Sequence, residues 1–139
     1  MRAFPCPMLA AMVFALVAPG PLAADPATPL SGEAFEAEVT GRTLTYSENG
    51  TVYGAEQYLP GRRVLWRFVG EECQPGRWFP RGDAICFTYD ADLQEHCWRF
   101  WRDGDALTAR LITDGPEVAL SRIAQSVQPL ACNGPEVGV

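Results

Sequence analysis

Few residues in this sequence could carry out catalysis. The only histidine, His96, is followed directly by Cys97, but neighbouring residues on a strand point to opposite faces, so this imidazole and thiol should not pair. His96 itself is predicted to face the core as a structural residue. The chain contains no nucleophile elbow, phosphate-binding loop, dinucleotide-binding glycine motif or zinc-protease motif. These observations favour a protein without a catalytic site.

A short stretch between two predicted strands contains three acids, Asp90, Asp92 and Glu95, whose oxygens could bind calcium. The stretch lacks the glycine and the length of an EF-hand loop, so we interpret these acids as solvated hairpin residues. Paired carboxylates could also support glycoside hydrolysis, but no pair stands out. Neither a metal nor a cofactor is predicted.

The tryptophans provide a second kind of candidate, a binding surface. The register given below predicts that Trp98 faces the core, while Trp101 lies on the other face beside Arg99 and a disulfide. An exposed tryptophan beside an arginine is typical of a binding hot spot. We therefore predict a ligand or partner surface formed by Trp101, Arg99 and Trp78. The alternative is that Trp101 is covered by the C-terminal tail or by the strand of Trp78.

The cysteines predict two disulfides. Cys6 precedes an apolar run and should leave with the leader described next, so four cysteines remain of the five in the chain. Cys86 and Cys97 lie directly across from each other in the predicted hairpin, so we favour this bond and a second one between Cys73 and Cys132. Zinc would be the competing explanation, but the sequence has no Cys-x-x-Cys pair.

Residues 1–24 have the pattern of a secretory signal peptide. A basic start, Met1-Arg2, precedes an apolar run from Met8 to Ala18, and small residues follow up to Ala24. The alternative, an N-terminal membrane anchor, would need a stop-transfer segment that does not follow. The prediction is a periplasmic or secreted protein whose mature part, residues 25–139, forms one domain.

Net charge excludes some partners. The chain carries a formal charge of −6, and removal of Arg2 with the leader makes the mature part more acidic still. An acidic protein is poorly suited to bind nucleic acid or anionic membranes, and no membrane insertion is expected after cleavage. All the basic residues are arginine, whose planar fork suits carboxylates and phosphates, although coding bias explains the same composition.

The elements that position these residues start with one helix and a three-stranded meander. Ser31 is a good N-cap for a helix over residues 32–40, which should lie against the sheet as a lid or plug. Strands over 42–47, 51–58 and 62–69 are separated by Asn49-Gly50 and Pro60-Gly61 turns. With these turns, Leu44, Ala55 and Trp66 form one inward row and Tyr46, Tyr53 and Phe68 another, while Glu56 falls on the solvated face.

A second meander spans residues 84–112. Its strands carry Ile85, Trp98 and Ala109 in one row and Phe87, His96 and Leu111 in the next, with a hairpin turn at Asp103-Gly104. A short strand over 77–79, a last strand over 118–123 and a tail over 125–139 complete the chain. This pattern predicts a mainly β domain, an antiparallel barrel or sandwich of seven or eight strands with one short N-terminal helix.

Three segments carry a resemblance to known proteins: GRTLTYSENGTVYGAEQYLPGRRVLWRF, GRWFPRGDAICFTYD and HCWRFWRDGD. With these segments, the chain resembles small exported β-rich proteins of alphaproteobacteria. The resemblance implies export, a short helix and a β-rich body, and it carries over no catalytic residues.

We consider three functions from these observations. The first is a non-catalytic binding or accessory module that holds an unknown protein or small ligand on a sheet face or in the barrel mouth. The second is an inhibitor of a periplasmic or secreted hydrolase, with the segment from Asp25 to Leu30 as the part that could enter a foreign active site. The third is a carboxylate-based hydrolase, which needs a pocket with two acids at a matched spacing.

Overall fold

A computed structural model of the protein describes residues 28–132. The predicted signal peptide over 1–24, the segment 25–27 and the end of the predicted tail, 133–139, lie outside the described residues. Within residues 28–132, no helix has the length and hydropathy needed to cross a bilayer.

The described chain forms a closed antiparallel barrel of eight strands with one short helix, so the mainly β prediction is confirmed in its barrel form. Each strand pairs with its neighbours in sequence, and the eighth strand closes the barrel on the first. The elements are α1 (Gly32–Val39), β1 (Thr43–Glu48), β2 (Thr51–Leu59), β3 (Arg63–Phe68), β4 (Gln74–Arg81), β5 (Ala84–Tyr89), β6 (Asp92–Asp103), β7 (Ala106–Leu111) and β8 (Ser121–Ser126). The last strand therefore begins and ends three residues later than the predicted span of 118–123.

The turn between β1 and β2 is the predicted one, but the pairing beyond it is shifted. Asn49 and Gly50 both have positive φ angles, 49° and 79°, as a type I′ turn requires. The register then changes, because Ser47 lies opposite Val52 whereas Tyr46 lies opposite Gly54. One extra residue on β2 forms a β-bulge, and a one-residue shift exchanges the two faces of a strand.

The predicted inward row of Leu44, Ala55 and Trp66 is therefore wrong. Glu56 occupies the middle position of that row, between Leu44 on β1 and Trp66 on β3. The second predicted row is displaced in the same way, since Gly54 and not Tyr53 lies between Tyr46 and Phe68. As a result, Glu56 is only 3% exposed and the small residue beside the Trp66 ring is Gly54.

The predicted register of the second meander is correct between β5 and β6 and wrong between β6 and β7. Cys86 lies opposite Cys97 and Ile85 opposite Trp98, as predicted. Across the next hairpin, however, Trp98 lies opposite Leu111 and not Ala109. The cause is the turn, whose two central residues are Gly104 and Asp105; Gly104 alone has a positive φ, 63°, which fits a type II′ turn with glycine first.

Helix α1 closes one end of the barrel. Ser31 Oγ accepts a hydrogen bond from the backbone N–H of Ala34 (3.2 Å), which caps the helix start as predicted. Phe35 is fully buried, and its ring lies 5.2 Å from Trp78 and 4.5 Å from Phe100. Leu30 is also buried, and its N–H donates to the carbonyl of Phe100. Leu30 is thus held at the closed end, whereas residues 25–27 of the segment considered for an inhibitor lie outside the described part.

The two disulfides are the pairs favoured from the sequence, Cys73 with Cys132 and Cys86 with Cys97. The first connects the end of the described chain to the β3–β4 connection. The chain before Cys132 runs over the outside of β2 and β3, because the N–H of Leu130 bonds Gln57 Oε1 (3.1 Å) and Arg67 bonds the Ala131 carbonyl. The described part of the C-terminal segment, up to Cys132, therefore lies along β2 and β3 and not along β6, the strand of Trp101.

Candidate functional site

The candidate site is a cavity inside the barrel, at the end away from α1. In this antiparallel order the β1–β2, β3–β4, β5–β6 and β7–β8 connections all lie at one end, and α1 packs at the other. The cavity has a volume of about 250 Å³ and opens between the first set of connections. Eight-stranded barrels are the size class that can hold one small ligand in the interior. Its walls are aromatic and apolar with a few polar groups: Tyr46, Tyr53, Glu56, Trp66, Phe68, Gln74, Phe87, Tyr89, Asp92, His96, Trp98, Phe100 and Leu111.

Three aromatic rings on β1, β2 and β3 pack against each other along one wall. The Trp66 ring lies 5.4 Å from Tyr46, nearly edge to face, and 6.2 Å from Tyr53. Trp66 fits there because Gly54 leaves room; a Cβ atom on Gly54 would lie 2.4 Å from Trp66 Cζ2. The wall is therefore preorganised by packing.

Glu56 lies in the interior and accepts two phenolic hydrogen bonds. The hydroxyl of Tyr58 donates to Oε2 and that of Tyr89 donates to Oε1, both at 2.8 Å. The Tyr46 and Tyr58 hydroxyl oxygens are also 2.8 Å apart. Because the single Tyr58 hydrogen is donated to Glu56, Tyr46 must be the donor in that bond. The four side chains form one connected chain of hydrogen bonds in which every phenolic hydrogen is donated.

Burial changes the acidity of this network. Desolvation raises the pKa of Glu56 to about 7, and the hydrogen bonds from Tyr58 and Tyr89 oppose the rise without cancelling it. Desolvation, followed by the nearby Glu56 charge, also raises the pKa values of Tyr46, Tyr58 and Tyr89. Near pH 7 the interior therefore holds one carboxyl group close to half-ionised and three neutral phenols.

Two further pairs of polar side chains lie toward the open end. The hydroxyl of Tyr53 is 2.7 Å from Ser121 Oγ, which joins β2 to β8. At the mouth, His96 Nε2 lies 3.1 Å from Asp92 Oδ2. His96 was predicted to be buried, but it is part-exposed and lines the mouth, because β6 extends past the core at this end.

The three acids predicted to be solvated, Asp90, Asp92 and Glu95, are exposed to solvent. Asp92 and Glu95 also have hydrogen-bond partners. Asp92 accepts from the N–H of Gln94 and contacts His96, while Glu95 binds Arg81 through two hydrogen bonds of 2.6 and 3.0 Å. Among residues 28–132, no three His, Cys, Asp or Glu side chains come together as a metal-binding group.

The three residues of the predicted binding surface are not brought together. Trp78 is buried in the barrel, where its ring contacts Phe35 and lies 4.9 Å from the Arg62 guanidinium. Trp78 therefore does not share a surface with Arg99 and Trp101, because the inward alternation of β4 places it under α1. Arg99 and Trp101 do lie together on the outer face of β6, beside a shallow groove formed with the β7–β8 connection. Arg99 Nε also donates to Asp83 Oδ2 at 2.8 Å.

Sequence reasoning missed the interior network because it placed Glu56 on the solvated face. The available signal was the spacing of Glu56 and Tyr58, which share one face of β2, with aromatic residues at the inward positions of β1 and β3. No protein-family model, curated protein or solved structure matches this chain. The site must therefore be interpreted from its own geometry.

Proposed function

We propose that the protein is an exported, non-catalytic binding protein that holds a small, largely apolar ligand in the barrel cavity. The observation that carries this proposal is the cavity of about 250 Å³, walled by aromatic rings, closed at one end by α1 and open at the other. A mostly apolar cavity with a few convergent polar groups is the usual form of a small-molecule site.

The rim of the open end supports binding of an apolar ligand. Six of the seven large apolar side chains that are exposed in the described chain belong to the strand ends and connections around the mouth. Clustered apolar side chains on a surface mark sites that meet a ligand, a partner or a membrane. The six are Val52, Phe68, Val69, Leu93, Ile112 and Leu120.

The lining supports binding more than turnover. The described lining residues include no serine, threonine, cysteine or lysine that could act as a covalent nucleophile. Glu56 is the one deeply buried carboxyl group among them, and both of its oxygens already accept hydrogen bonds. Carboxylate-based hydrolysis needs two carboxyl groups placed about a scissile bond, and the second carboxyl group of this lining, Asp92, lies at the exposed mouth beside His96.

A titration with an uncharged aromatic probe tests this function. We expect N-phenyl-naphthylamine to bind the mature protein one to one, with a blue shift and gain of its emission. A Leu111→Trp variant should abolish the signal, because residue 111 lines the cavity and the larger ring fills it. Val127→Trp is the matched control, since residue 127 is exposed and follows β8 at the end of the barrel away from the mouth. Absence of saturable binding, or equal loss in both variants, would refute the proposal.

A further inference from the structure

We propose that the ligand is an organic cation, a primary ammonium group on an aromatic or alkyl body, and that Glu56 is its counter-ion. This inference rests on the proposed function, because it names the chemical class that the same cavity would take. The body would lie among the aromatic walls, and the ammonium would reach the carboxylate at the inner end.

The charges of the lining favour a cation over an anion. The ionisable groups among the described lining residues are two carboxyl groups, the phenols and one imidazole, with no arginine or lysine. Each arginine ion pair in the described chain is made with an acid that lies outside this lining. A ligand carboxylate or phosphate entering the cavity would therefore meet the buried Glu56 without a compensating charge.

The hydrogen bonds around Glu56 also favour a cationic ligand. The hydrogens of Tyr46, Tyr58 and Tyr89 are all consumed within the network, so none is left to donate to a ligand. The two oxygens of Glu56 together offer about four lone-pair sites, of which two are used. What remains within this network is acceptor capacity. An ammonium group brings three donors and no acceptor, so its needs match the unused sites.

The aromatic wall favours a positive charge as well. The rings of Tyr46, Tyr53 and Trp66 pack within 6.2 Å of one another on β1, β2 and β3, the strands that flank and include Glu56. The faces of aromatic rings attract cations, and cages of such rings are used to bind ammonium ligands. A carboxylate with an adjacent aromatic wall provides both components of such a site.

Binding of the cation should release a proton. The titratable groups around Glu56 are Tyr53 and Tyr58 on its own strand, Tyr46 on β1 and Tyr89 on β5. Their raised pKa values keep all four phenols neutral near pH 7. Glu56, with a pKa of about 7, is then about half protonated. When an ammonium ion binds beside it, the carboxyl proton passes to the buffer and the ionised carboxylate pairs with the ligand. The ammonium keeps its own protons.

Isothermal titration with three matched ligands tests the inference: phenethylamine, phenethyl alcohol and hydrocinnamate. We expect the amine to bind the wild-type protein about 10- to 100-fold more tightly than the alcohol, the range given by hydrogen bonds to charged groups. The carboxylate should bind most weakly. Titrations at pH 7 in two buffers of different protonation enthalpy should show release of about half a proton per amine bound. In Glu56→Gln the preference for amine over alcohol should disappear. Glu33→Gln, which removes an exposed charge on α1 at the closed end, should keep it.

The outcomes separate the two proposals. If the naphthylamine probe binds but phenethylamine is no tighter than the alcohol, or keeps its advantage in Glu56→Gln, the inference is overturned and the binding function stands. If neither the probe nor any of the three ligands binds, both are overturned. The ligand preference and the proton release are measured on the wild-type protein, so they decide the matter even if Glu56→Gln fails to fold.

Discussion

The buried carboxyl group of Glu56 should make the protein less stable as the pH rises from 5 to 8. Its pKa is raised from an ordinary 4.5 to about 7 in the fold. Below pH 4.5 the group is protonated in both the folded and the unfolded chain, so its burial carries no charge penalty. Between pH 4.5 and 7 the unfolded chain loses the proton while the folded chain keeps it, and the free energy of unfolding falls with pH. Above pH 7 the carboxyl group is ionised in both the folded and the unfolded chain, so Glu56 lowers the free energy of unfolding no further.

The magnitude follows from the two pKa values. At about 1.36 kcal/mol per pKa unit, a rise from 4.5 to about 7 corresponds to roughly 3 kcal/mol, of which about 2 to 3 kcal/mol falls between pH 5 and 8. Other carboxyl groups act in the opposite direction at lower pH. The pKa values of Glu36, Asp83 and Glu95 are lowered, chiefly by hydrogen bonds from arginine side chains, so their contributions are lost as the pH falls below about 4.5.

Glu56→Gln isolates the effect. A glutamine can accept from one phenol and donate to the other, so the network can persist without a titrating group. Urea unfolding at pH 5, 6, 7 and 8 should show that the parent loses about 2 to 3 kcal/mol relative to the variant across this range. Parallel pH profiles for the two proteins would show that Glu56 does not carry the raised pKa, and the reasoning from its burial would be wrong.

Two further predictions concern the packing and the covalent links. Gly54→Ala should lower the free energy of unfolding by about 1 to 3 kcal/mol in urea titrations, since the new Cβ would lie 2.4 Å from Trp66 Cζ2. Ala55→Ser, a control on the outer face, should change the free energy of unfolding by less than about 0.5 kcal/mol. Equal effects of the two substitutions would contradict the bulged register. Replacing Cys73 and Cys132 by serine should lower the free energy of unfolding by about 4 kcal/mol from loop entropy alone, because that disulfide closes a loop of 59 residues. Replacing Cys86 and Cys97 by alanine should lower it by about 3 kcal/mol, because the second disulfide closes a loop of 11 residues. A larger cost for the shorter loop in the same unfolding assay would show that chain entropy is not the main term.

Much of the fold could be predicted because the turns are strongly marked in the sequence. Asn49-Gly50 and the paired positions of Cys86 and Cys97 locate two hairpins, and Ser31 locates the helix start. These signals are local, since each depends on a residue type with a special backbone preference or on a count across one turn.

The candidate site could not be predicted because it depends on a feature without a local signal. The extra residue of the β-bulge opposite Tyr46 and Ser47 is Tyr53, an ordinary strand residue, and the glycine after it, Gly54, is equally explained by the space that the Trp66 ring needs. The β2–β3 connection holds Arg62 at a positive φ of 58°, a conformation that arginine rarely takes. Glu56 also contradicts the ordinary pattern, because a polar residue between hydrophobic neighbours is normally assigned to solvent. The three phenols that make its burial tolerable come from β1, β2 and β5, and only the closed barrel brings them together.

The order of the strands has a consequence for how the chain folds. Seven of the eight strand pairings join neighbours along the sequence, so the loops that must close are short and their entropic cost is small. The pairing of β1 with β8 is different, because Thr43 meets Ser126 from the far end of the domain. Until that seam forms, the sheet is an open ribbon with two free edges and no enclosed interior. The folding rate should thus be governed by this one long-range closure, and the cavity comes into existence only at that step.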